Sequence, residues 1–287
     1  MRSINDKFIN DLLDGELSFF LDEIKAKRDL LSLEIRRDYI NIYYRGGNIV
    51  RISQSNNRYY FFFDVKYCRS EEYKKPEDNP HYQTLASMDK YDAQAFINNL
   101  PVMRIVMDAW FKKYPKKERE FQQNLQSENA FVIDIEHQVN YDCQGGMRFD
   151  MIIVDGDKMY VTENKVGTSA IGGNAGVVKH YNDICEFLDD ERLHQGLVDS
   201  VIETSKVKHK LGLLEGEISY IDPSKTEILF VFGEYNRRSK ALGNAVKEIH
   251  KHKGNYSKVY PVTYLMPEKE DYKICLENAK DLYAYEN

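Results

Sequence analysis

The sequence contains no run of about 18 apolar residues, so no transmembrane helix is expected. Its four cysteines, Cys68, Cys143, Cys185 and Cys275, form no CxxC pair. That argues against structural zinc and makes a reducing cytoplasm the expected compartment. The opening stretch, MRSINDKFINDLLDGELSFF, carries acids through its apolar part and lacks a small-residue cleavage site. Neither a signal nor a transit peptide is read there. Internal repeats and low-complexity tracts are absent too. Positive charge is not in surplus: 40 Lys and Arg face 46 Asp and Glu, a formal net charge of −6. This balance excludes a uniformly basic coat for nucleic acid and leaves room for a local basic groove.

What is present is a globular composition, 42% hydrophobic and 30% charged. At 287 residues the chain exceeds the usual single domain, so one large domain or a core with an added module is expected. Aromatics, mostly Tyr, reach 13%, enough for a packed core with rings left over for stacking. Residues 4–29 read as one amphipathic helix, with Ile4, Phe8, Leu12, Phe19, Leu21 and Ile24 near helical spacing. Strand-like runs follow at 31–36, 39–44 and 58–66, with turns at Gly46-Gly47 and Asn56-Asn57. Residues 68–88 read as a polar loop, and 91–113 as a helix interrupted at Pro101. Residues 1–115 are therefore expected to form an accessory α+β module of helix, three-stranded sheet and helix.

From 116 the rhythm changes. A helix at 116–129 precedes strands at 131–139, 147–154 and 159–165. Helices at 174–188 and 190–214 follow, then a strand at 227–232, a basic helix at 239–252 and a strand at 258–265. The order α-β-β-β-α-(α)-β predicts an α/β core over 116–287, with a central mixed sheet flanked by helices.

The chemistry is concentrated in RFDMIIVDGDKMYVTENKVG, residues 148–167. Glu163 and Lys165, two apart on a strand, share a face. An Asp-Gly turn joins that strand to the one carrying Asp150. If the loop is Gly156-Asp157, Asp150 lies directly opposite Glu163. If it is Asp155-Gly156, the two are diagonal. The Cβ atoms are then ~5 Å or ~7 Å apart, on one face either way, whereas a three-residue loop breaks the parity. Two carboxylates this close repel unless a cation intervenes. Mg²⁺ takes a few carboxylate oxygens and keeps waters, leaving room for a phosphate, and Lys165 can hold a water or stabilise charge on phosphorus. The neighbours Met151, Ile153 and Tyr160 on one face, and Ile152, Val154, Met159 and Val161 on the other, suit a sheet covered on both sides. Charges there need a reason.

The Asp150…Glu163-Asn164-Lys165 pattern resembles the PD-(D/E)xK nucleases, the restriction-endonuclease-like superfamily, over about residues 116–235. Phe149 stands where that motif is named for proline, a variable position. The resemblance implies an αβββαβ core and hydrolysis of phosphodiesters, in DNA more than RNA. It implies Mg²⁺ or Mn²⁺ held by Asp150 and Glu163, Lys165 at the nucleophile, and a metal-activated water. It also implies a further metal-binding glutamate on the first core helix, where Glu120 matches better than Glu118 or Glu128. On the helix after the Gly-rich loop it implies accessory contacts from Lys179 and Tyr181; His180 reads as a surface histidine. Glu136 on the first core strand is a further candidate ligand.

The loop 167–176 (GTSAIGGNAG) could approach a phosphate closely, but it lacks the P-loop lysine. Seven Lys or Arg lie between 237 and 258 against Glu248 alone. Of these, Arg237, Arg238, Lys240, Lys247, Lys251 and Lys253 are the expected phosphate-contacting surface. Lys206, Lys208, His209 and Lys210 make a smaller cluster. In the N-terminal module, Tyr59, Phe61 and Phe63 alternate with Tyr60, Phe62 and Asp64, so one face could present rings to bases. Reading DNA, binding a partner and forming a homodimer all stay open for that module. Two rivals use the core differently: a silent binding module on the nuclease fold, or an enzyme for a small phosphorylated ligand using the Gly-rich loop.

Overall fold

The computed structural model describes residues 2–69, 75–141, 145–173 and 176–286. Cys143 and the expected helix start at 174 lie outside them. Among the described residues the protein is mixed α/β, with eight α-helices and two sheets. No helix there is long and apolar enough to cross a membrane. The chain forms two compact units: residues 2–120 with 206–216, and residues 121–205 with 217–287. The sequence reading divides the chain at 115/116 and gives 206–216 to the C-terminal part.

The N-terminal unit begins with two helices where one is expected, α1 (Asp6–Leu13) and α2 (Ser18–Ala26). Asn5 caps α1 by accepting the N–H of Phe8, and Phe8, Ile9 and Leu12 are its buried stripe. The chain breaks at Gly15, where a Cβ would lie 2.6 Å from the Asp11 Cα. Four strands, not three, form an antiparallel meander: β1 (Leu31–Ile35), β2 (Tyr39–Tyr44), β3 (Gly47–Ser55) and β4 (Arg58–Phe62). Asn56 and Asn57, both at positive φ, turn β3 into β4 as a two-residue hairpin requires. The strand missed in the sequence is β3. Its register slips against β2 at Ile42/Tyr43, and Ile49 and Val50 are both buried, which breaks the alternation.

Part of the expected loop 68–88 is helical, α3 (Pro80–Ala86), started by the Asn79 cap and Pro80. α4 (Ala93–Lys113) runs through Pro101 uninterrupted. Buried residues on both sides of the proline, Phe96 and Leu100 before it and Met103, Val106 and Met107 after it, outweigh the lost hydrogen bond.

The second unit is built on a six-stranded sheet in the order β10-β9-β8-β7-β6-β5. α5 (Lys117–Glu128) precedes β5 (Val132–Tyr141), β6 (Gly145–Asp155) and β7 (Lys158–Val166). Then come α6 (Val177–Asp189), α7 (Glu191–Lys210), β8 (Glu227–Gly233), α8 (Ala241–His252), β9 (Val262–Leu265) and β10 (Lys280–Asp281). β5, β6 and β7 pair antiparallel, whereas β7–β8 and β8–β9 are parallel. Every residue of β8 is buried, as a central parallel strand demands. At its end Gly233 makes room for the Phe121 ring, which would stand 2.7 Å from a Cβ there.

Candidate active site

The β6–β7 hairpin closes through the two-residue loop Gly156-Asp157, with Gly156 at φ +60°. The ladder runs from Asp155↔Lys158 to Met151↔Thr162. The next step in register sets Asp150 opposite Glu163, the closer of the two expected arrangements. There the ladder ends in an unusual way: the Asp150 carboxylate, not a strand carbonyl, accepts the N–H of Asn164 at 2.8 Å. Beyond this point β6 continues with β5 alone, through His137↔Phe149, Gln138↔Arg148 and Val139↔Met147. The sheet therefore forks at the two carboxylates, at the C-terminal end of β7. From α5, the Gln122 amide donates to the backbone carbonyl of Asp150 at 2.8 Å and fixes the fork from the helix side.

Glu163 and Lys165 are 1% and 4% exposed. The Lys165 ammonium lies 3.2 Å from Glu163 Oε2, and His180 Nδ1 approaches the same oxygen at 3.3 Å. Glu163 Oε1 is buried without a hydrogen-bond partner among the described residues. On the opposite face, Thr162 Oγ1 and the Asn164 amide are also buried without partners there. Those groups are neutral, and ordered water is the ordinary remedy for them. A carboxylate oxygen left bare in the interior is costlier and suits a cation. Two carboxylates on adjacent strands fit Mg²⁺, which takes one or two such ligands and keeps its waters. Among the described residues no group of three or more His, Cys, Asp or Glu side chains forms a metal cage.

The helix phase of α6 selects His180, not the expected Lys179 or Tyr181, to face Glu163. Val177, Tyr181, Ile184, Cys185 and Leu188 form the buried stripe. His180, three after Val177 and four before Ile184, sits at the stripe's edge, a signal already in the sequence. Lys179 is exposed and pairs with Asp183. Tyr181 is buried, its hydroxyl 3.2 Å from that of Tyr283, and burial holds its phenol far above the usual range. Tyr181 is therefore a core residue here. Glu120 belongs to the other compact unit, where it is exposed and 3.6 Å from Arg119. Glu136 adopts φ +52° and pairs with Arg148 at 3.0 Å.

Three backbone N–H groups of the glycine-rich loop are already bonded. Gly167 N–H bonds Gly233, Ala170 bonds Gly167, and Gly176 bonds Gly173. Those three are not free for a phosphate. The loop does anchor the basic segment, since Asn236 N–H reaches Thr168 Oγ1 at 3.3 Å. Arg237, Arg238 and Lys240 thus lie exposed on the connection leaving the same end of the sheet. On α8, Lys247 and Lys251 continue the outward row from Lys240, opposite the buried Leu242, Val246 and Ile249. Arg237 meets Glu268 at 3.3 Å, Lys251 meets Glu248 at 2.6 Å, and Lys253 lies 4.0 Å over the Tyr283 ring. The smaller cluster is not one surface: Lys208 is buried against Glu34 and Lys210 pairs with Asp6.

Comparisons with protein-family models, with curated proteins and with solved structures returned no match for this chain.

Proposed function

We propose that this chain is a Mg²⁺- or Mn²⁺-dependent nuclease of the PD-(D/E)xK kind, with a restriction-endonuclease-like core, hydrolysing phosphodiester bonds in DNA. One observation carries the reading. Asp150 and Glu163 face each other where the sheet forks, Lys165 shares their face, and one Glu163 oxygen is buried without a partner among the described residues. Asp150 and Glu163 would hold the cation. When bound, the cation neutralises phosphate charge and makes a water more acidic. Lys165 is placed to hold that water or to donate to a phosphate oxygen as negative charge grows on it. His180 and Lys165 both engage Glu163 Oε2, which leaves Oε1 as the oxygen for the cation. Arg237, Arg238 and Lys240, at the same end of the sheet, suit the flanking phosphates.

The test is incubation of the full chain with linear, circular and single-stranded DNA and with RNA, in Mg²⁺, Mn²⁺ or EDTA. Cleavage is expected only with a divalent ion. Asp150→Asn, which keeps an acceptor for Asn164, and Lys165→Met should each lower the rate by about 10² or more. Full activity in Lys165→Met would end this reading, and a gel shift without cutting would leave a binding module.

A further inference from the structure

The sheet of the N-terminal unit buries one aromatic row and exposes another. Tyr59, Phe61 and Phe63 point inward, where Phe61 stacks on Phe20 at 5.9 Å and meets Phe96 at 5.3 Å. The outward rows are set by register: Asn41, Arg51 and Phe62 in one, Tyr39, Ser53 and Tyr60 in the next. Phe62 is 59% exposed. The Arg51 guanidinium lies 4.0 Å over the Tyr39 ring. Beside β4, Lys90 O accepts the N–H of Phe61 at 2.8 Å, which holds the next residue, Tyr91, against Tyr60 with ring centroids 4.7 Å apart. The Lys90 ammonium is 5.9 Å and 5.3 Å from those two rings, and Tyr91 is itself 43% exposed.

The make-up of this surface narrows its partner. None of its outward positions carries Leu, Ile, Val or Met, so no aliphatic patch extends the rings. Aromatics and Arg suit protein and nucleic-acid partners alike, but lysine, which sits here among the rings, is depleted in protein interfaces. Rings interleaved with Arg and Lys match a chain of bases and phosphates instead: every base has a face to stack, and the cations attract the backbone. The acids nearest in sequence are engaged: Asp89 accepts the N–H of Tyr91, Asp92 that of Ala95, and Asp64 that of Lys66, whose ammonium it also meets at 2.7 Å. Glu34, which continues the Asn41 row on β1, is buried against Lys208. We infer that the outward face of β3 and β4 binds single-stranded DNA. Phe62 is the principal stacking ring, the Tyr60–Tyr91 pair supports a neighbouring base, and Arg51 and Lys90 meet the phosphates. A duplex is a poor ligand, because its bases are stacked on each other and out of reach. The inference goes beyond the cleavage reading and does not require it.

The test is the affinity of the full chain for a labelled oligothymidylate in EDTA, so that no cutting is read. Phe62→Ala should weaken binding about tenfold or more with an unchanged melting temperature, since the ring supports no core, and Phe62→Trp should restore it. An abasic strand of equal length should bind the parent chain at least as weakly as thymidylate binds Phe62→Ala, since it loses the stack on the Tyr60–Tyr91 pair as well. Arg51→Gln should reduce both affinity and its salt dependence. Unchanged affinity in Phe62→Ala, or equal binding of the abasic strand, overturns the inference. So does a dimer in sedimentation that Phe62→Ala converts to a monomer, which would make this face a contact between two copies. A chain that binds thymidylate but cuts nothing contradicts the nuclease reading alone.

Discussion

In the N-terminal unit Lys208 meets Glu34 at 2.7 Å, with both side chains at most 5% exposed. In the C-terminal unit Lys165 meets Glu163 at 3.2 Å and is as deeply buried. The first pair joins residues 174 apart in sequence and ties the end of α7 to β1. The second joins residues two apart on one strand and ties no elements together. The first holds the chain's shape. The second leaves one carboxylate oxygen bare and places a like charge, Asp150, on the adjacent strand. Burial and a lysine partner are therefore common to both pairs. Sequence separation and unused acceptor capacity tell them apart.

The comparison is most exposed to failure through stability. Glu34→Gln should lower the unfolding free energy by about 3 kcal/mol or more in denaturant titration, because it removes the carboxylate charge that faces the buried Lys208 ammonium. Glu163→Gln should cost less than about 1 kcal/mol, since relief from Asp150 offsets the loosened Lys165. Equal losses would erase the distinction. Metal sharpens it further. Mn²⁺ at a hundredfold over its Kd should stabilise the parent chain and Glu34→Gln by about 3 kcal/mol and leave Glu163→Gln unmoved. A shift in Glu163→Gln equal to the parent's would remove that residue from the metal site.

His194 offers a third, smaller contrast, burial without a charged partner. Its Nε2 lies 2.8 Å from Thr226 Oγ1, and burial, helped by Lys258, pushes its pKa down to about 4 from 6.5. The unfolded chain binds a proton here before the folded one does. Its contribution is thus fully present above pH 6.5 and is lost as the pH falls toward 4. The loss between pH 6.5 and 5 is about 2 kcal/mol. His194→Gln, which can still bond Thr226, should flatten that part of the pH–stability curve.

The site hairpin was legible because parity is a discrete property: either two-residue loop through Gly156 keeps Asp150 and Glu163 on one face, and the structure selects Gly156-Asp157. The element order from α5 through β8 was legible because turn residues bound its strands. Three features were not. β3 hides behind a bulge that puts Ile49 and Val50 both inside. Continuity at Pro101 depends on tertiary burial, which no local rule contains. The choice of His180 over its neighbours depends on helix phase, where an error of one residue rotates the answer by about 100°.

Asp150 caps the Asn164 N–H at the place where β6 leaves β7, so the residue has two employments. A lineage without the proposed activity would be free to replace Glu163 and Lys165 with aliphatic residues, yet it would still need an acceptor at 150 to keep the strands in step. Descendants of such a lineage should retain Asp or Asn at 150 beside an otherwise apolar strand. Persistence of that one residue is then a record of strand alignment, and only its company at 163 and 165 speaks for catalysis.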